Sequence, residues 1–92
     1  MTPSDEKIAA TIFSLLDARA RASTICPSDA ARALAADEAA WRALMPEVRR
    51  VAAQLAATGS LRVTSHGDDV EALAARGPIR LGRPMNQPLN RA

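Results

Sequence analysis

Ninety-two residues, 48% of them apolar but with only Phe13 and Trp41 aromatic, bound the chain to one small, helix-rich domain with a thin core. Size excludes a large sandwich or doubly wound sheet, the single cysteine excludes an internal disulfide or thiolate-rich zinc site, and no apolar run approaches the roughly 20 residues of a membrane span. The net charge of +2 is spread unevenly: residues 1–38 carry −2, residues 39–67 carry +3 and residues 68–92 carry +1, and every cation but Lys7 is arginine.

The opening MTPSDEKIAA places acids where a secretory signal would place bases, so a cytoplasmic protein is expected. Thr2, Pro3 and Asp5 form a helix start, with a capping hydroxyl, proline at the first position and an acid in the first turn. Ile8, Ile12, Leu15 and Leu16 recur at helical spacing, which predicts a first helix over 4–20. Ser23, Thr24 and Ile25 form a β-prone link, and Cys26-Pro27-Ser28-Asp29 starts a brief second helix running to about Ala36. Asp37 caps a short amphipathic segment through Trp41, Leu44 and Met45, and Pro46 reads as a fresh first position. From there Val48, Val51, Ala52 and Leu55 define a third main helix that Gly59 ends in the left-handed conformation.

Beyond Gly59 the period becomes two. Leu61 and Val63 alternate with Arg62 and Thr64, and Ile79 and Leu81 alternate with Arg80, so two half-buried strands are expected to pair. His66-Gly67-Asp68-Asp69 is turn chemistry, Val70 to Arg76 reads as a strand end or one helical turn, and the dozen or so residues between the strands predict a long projecting loop. Residues 83–92, rich in proline, asparagine and glutamine, read as an extended or disordered arm.

Helix, link, helix, helix, strand, loop, strand is the order of a winged helix-turn-helix domain. The expected fold over residues 1–82 is therefore mainly α with a small β hairpin: a three-helix core carrying a two- or three-stranded antiparallel wing. A plain helical bundle is the alternative, and it leaves the alternation at 61–64 and 78–81 unexplained. The series TICPSDAARAL, WRALMPEVRRVAAQLAATGSLRVT and GPIRL resembles a small bacterial domain family of unknown function that has a winged-helix fold. The resemblance covers about residues 8–82 and departs at His66, where a more basic residue is expected. It implies the fold and brings no catalytic residue or ligand.

The architecture places a helix in the major groove and the wing on the backbone. On the third helix Arg50 and Gln54 lie four apart, opposite Val48, with Arg49 on the flank. Arg50 suits a phosphate or a guanine and Gln54 an adenine edge. Arg49, Arg62 and Arg80 are the expected backbone contacts. The plainer reading is that exposed arginine and glutamine opposite an apolar stripe form an ordinary solvated face. Arg32 and Arg42 are read as scaffold, through helix carbonyls or stacking on a core Trp41.

Cys26, at a helix start, is the one candidate redox residue, against its reading as a small buried side chain. A lone His66 has no acid or oxyanion motif to make a nucleophile, and Asp68, Asp69 and Glu71 match no calcium-loop spacing. No catalytic residue, cofactor or metal site is expected. The expected function is binding of double-stranded DNA as a small regulator. The alternative is a protein-interaction module docking a partner or a second copy through the second helix or the arm, and no membrane contact is expected.

Overall fold

Ser4, rather than Thr2, begins the first helix, α1 (Asp5–Asp17): its side chain accepts a hydrogen bond from the Lys7 backbone N–H at 3.1 Å, and Asp5 and Glu6 in the first turn complement the helix dipole. The computed structural model describes residues 2–75 and 77–84 of the chain. Ile8, Ile12 and Leu16 of α1 are buried, as their spacing predicts, and the helix ends at Asp17 because the chain turns where Arg19 N–H bonds the Leu16 carbonyl and Ser23 N–H the Ala20 carbonyl.

The second helix, α2 (Pro27–Leu34), starts as expected with proline at its first position, and Asp29 Oδ2 accepts from the Cys26 backbone N–H at 2.9 Å. Just before it, fully buried Ile25 exchanges two 2.8 Å backbone hydrogen bonds with Leu81, so the link is a one-residue strand on the sheet.

The expected break at Pro46 is absent. Asp37 caps a single 20-residue helix, α3 (Glu38–Ala57), that runs through the proline. Proline deletes one N–H donor, yet Leu44, Val48, Val51 and Ala52 keep one phase across it and all are buried. Packing of that continuous stripe outweighs the lost bond. At the carboxy end Gly59 takes φ 79°, and the Gly59 and Ser60 N–H groups close on the carbonyls of Ala56 and Leu55 at 3.0 and 2.9 Å. That pair of bonds is the Schellman cap.

The sheet is antiparallel, with β1 (Arg62–Ser65) between β2 (Asp68–Asp69) and β3 (Arg80–Gly82). Val63 faces Leu81 across β1 and β3, which is the expected pairing, and both side chains enter the core. The short β2 is the third strand that the expected wing allowed, placed at Asp68 and Asp69, which the sequence reads as turn. His66 and Gly67 both take positive φ, 53° and 87°, the signature of a two-residue type I′ turn, and this folds Asp68 and Asp69 straight back on β1.

The segment after β2 takes the helical turn that was one of its two expected forms, but it does not project. Val70 N–H bonds the Val63 carbonyl at 3.0 Å, residues 71–75 close a helical turn, and Ala72 is only 2% exposed, so apolar burial draws the segment onto the core instead of letting it project. The result is a helical core with a small hairpin wing. The expected arm lies, from residue 85 onward, outside the described residues. Among the described residues no helix is long and apolar enough to cross a membrane.

Candidate nucleic-acid interface

Helical spacing puts Arg50 opposite Val48, but packing puts the first turn of α1 beside it. The Arg50 guanidinium donates from Nη1 to Asp5 Oδ2 at 3.0 Å and from Nη2 to Asp5 Oδ1 at 2.6 Å, and its Nε and Nη2 also reach Glu47 Oε1 at 3.1 and 2.6 Å. The hydrogen bond from Arg50, opposed by partial desolvation and aided by the opposite charge, holds the Asp5 carboxyl below its ordinary range. The hydrogen bonds of Asp5 and then Glu47 push the Arg50 guanidinium up in turn. Two carboxylates thus cover the cation that was expected to meet a phosphate or a guanine.

Arg49 is also turned to structural use. Its Nη2 donates to the Gly77 carbonyl at 2.9 Å and its Nη1 to that of Ala72 at 3.4 Å, mooring both ends of the loop against α3. Gln54 is exposed, as expected. The third helix therefore presents Gln54 without the two arginines beside it.

On the sheet, Arg62 and Thr64 of β1 alternate with core-facing Val63, and register sets them opposite Gly82 and Arg80 of β3. Arg62 Nε donates to Asp69 Oδ1 at 2.6 Å across the hairpin. Arg80 spreads over the link before α2: Nε to Thr24 Oγ1 at 2.8 Å, Nη2 to the Thr24 carbonyl at 3.0 Å and Nη1 to Cys26 Sγ at 2.7 Å. Cys26 is half-buried beneath this guanidinium at the start of α2. Arg80 consequently staples the helices to the sheet, and Cys26 is the sulfur acceptor of that staple.

Trp41 is half-buried and packs on the core, with Arg32 from α2 and Arg42 from its own helix lying 4.5 and 4.9 Å from its ring centroid. Both are stacking contacts, and Arg42 Nε also donates to Glu38 at 2.8 Å. Among the described residues no three histidine, cysteine, aspartate or glutamate side chains converge as a metal would need.

Two cations that the pattern reading passed over lie beside the sheet. Arg21, in the link after α1, and Arg83, just past β3, join Arg62 around an open groove of about 400 Å³. Arg83 pairs with Asp17 at the end of α1. No periodicity marks these positions, because Arg21 sits in a turn of an acidic stretch and Arg83 follows the last strand.

Residues 5–84 match the model of a family described as "Protein of unknown function (DUF3253)". No curated protein matches the chain.

Proposed function

The chain belongs to this family, whose description names no activity, and from the geometry we propose that it is a winged-helix domain that binds double-stranded nucleic acid, serving as a small bacterial regulator in the cytoplasm without catalysing a reaction. The observation that carries this reading is the Ile25–Leu81 bridge. It lays the link before α2 along β3, giving the order helix, one-residue strand, helix, helix and then three strands, and this supports a winged helix-turn-helix, an architecture that sets a helix in the major groove and a hairpin on the adjoining backbone. Exposed Ala39, Ala43 and Ala57 along α3 leave its backbone free to approach, and Gln54 can meet an adenine edge.

With Arg49 and Arg50 engaged by carbonyls and carboxylates of the domain itself, phosphate contacts fall to cations outside α3, and binding is weak and low in specificity. Fluorescence anisotropy of a labelled random-sequence duplex, titrated at several salt concentrations, tests this. Affinity should be measurable at low salt and fall with rising salt, with a log–log slope of about −0.9 per phosphate neutralised. An Arg49→Ala, Arg50→Ala double variant should lose stability and keep the slope of the parent. Absence of binding at low salt overturns the proposal.

A second reading, a protein-interaction module on the same fold, is favoured by one observation: Arg49, Arg50, Arg62 and Arg80 all have their donors engaged within the domain. It predicts no salt-dependent DNA binding and a partner or second copy detectable by sedimentation.

A further inference from the structure

The groove beside the sheet differs in chemistry from the rest of the surface. Its walls carry three arginines, Arg21, Arg62 and Arg83, and three hydroxyl residues, Ser23, Thr24 and Thr64, and among the described residues no carboxylate lines it. Asp69 and Asp17, which pair with Arg62 and Arg83, stand outside the lining and are 73% and 69% exposed. Exposed ion pairs of this kind contribute only about 0–1 kcal/mol, so a stronger anion can compete for the same guanidiniums. Arg21 is exposed and, among the described residues, has no carboxylate within ion-pair distance.

The hydroxyls point to the same ligand. Thr64 is 9% exposed, is the one buried polar side chain among the described residues, and its hydroxyl makes no hydrogen bond to another described residue. A hydroxyl lining an open groove with no partner among the described residues is left to water, and an acceptor entering the groove can take its proton instead. Thr24 Oγ1 already accepts from Arg80 Nε, which leaves its own proton to donate. Arg80 does not line the groove, yet it orients one of the donors there.

We infer that this groove is a phosphate-binding site. Planar guanidinium forks with adjacent hydroxyl donors match the tetrahedral oxygens of a phosphate mono- or diester, and about 400 Å³ accepts a phosphate with part of the molecule attached to it. The phosphate has two possible sources: the backbone of a duplex, in which case the site deepens the nucleic-acid reading, or a free phosphorylated molecule, in which case it stands without that reading.

The test is a titration of the ¹⁵N-labelled chain followed by NMR, first with inorganic phosphate against chloride at constant ionic strength, then with a short duplex at low salt. Saturable shifts at the Arg21, Arg62 and Arg83 side chains and at the Thr64 amide are expected with phosphate. Arg21→Ala, at an exposed position, and Thr64→Val, close to isosteric, should each weaken that binding at least about tenfold, the scale of a lost hydrogen bond to a charged group. Duplex shifting the same signals in competition with phosphate assigns the backbone as source. Shifts with phosphate and none with duplex keep the site and remove the nucleic-acid reading. Shifts with neither ligand, or shifts unchanged in both variants, overturn the proposal.

Discussion

The flanks of α3 and the groove beside the sheet carry the same side chain to opposite ends. Arg49 and Arg50 lie between packed elements, with carbonyls and carboxylates of α1 and the loop inside reach, and their donors are consumed in holding those elements together. Arg21 lies exposed on a turn, and Arg62 and Arg83 pair with exposed acids. A guanidinium becomes structural or available according to what the fold places beside it. Position on a helical wheel decides only which way it leaves the backbone.

Ile25 belongs to both regions, and its truncation should have the largest effect. Its side chain is fully buried while its backbone ties the link to β3. Ile25→Ala should cost about 2–5 kcal/mol in urea unfolding, the range for buried aliphatic truncations. The loss should appear in one transition shared by helix and sheet signals. Separate transitions would show that the groove side unfolds apart from the α3 side, and the comparison would then concern two units instead of one core.

Arg49→Ala comes next. Removing a charged donor from the Gly77 and Ala72 carbonyls should lower stability by about 1–2 kcal/mol and speed amide exchange in the 70–75 segment. Arg21→Ala, by contrast, should stay within about 0.5 kcal/mol of the parent, as exposed substitutions do. Equal losses in the two variants would erase the distinction between locked and open arginines.

The Asp5–Arg50 pair sharpens the comparison through pH. The folded-state pKa of Asp5 lies below its ordinary value of 3.8, so its stabilising contribution is complete above that value and is lost as pH falls through the folded pKa. Chemical denaturation should therefore find the parent more stable than Asp5→Asn at pH 7, by less than the Arg49 effect because the pair is half-exposed, with the gap narrowing as pH falls below 3.8. A gap that is absent at pH 7 would return Arg50 to solvent and to the set of cations open to a ligand.

Most of the architecture was legible in the chain because it rests on local periodicity. Ile8, Ile12 and Leu16 announced α1, Pro27 and Asp29 the start of α2, Gly59 the end of α3, and Val63 and Leu81 the paired strands. Pro46 misled because a proline's local cost is visible in sequence, while the buried stripe that crosses it is visible only when the helix is packed. Arg50 misled for a related reason. Asp5 lies 45 residues away, and only the packing of α1 along α3 brings its carboxylate to the guanidinium. The groove was illegible because its arginines come from three separate segments that no spacing rule joins.

Gln54→Ala should change stability least, within about 0.5 kcal/mol, since the side chain is exposed on α3. Its value lies in binding. If α3 enters a major groove, Gln54 is an exposed polar side chain there that no bond to another described residue occupies, and its loss should relax preference for adenine at one position while leaving the salt slope unchanged, because a base contact neutralises no phosphate. A selection experiment on randomised duplexes with parent and variant reads both quantities. A change in the slope would make Gln54 part of the phosphate contacts. Identical preferences in parent and variant would mean that α3 stays out of the groove, leaving the arginines beside the sheet to carry whatever contact the domain makes with nucleic acid.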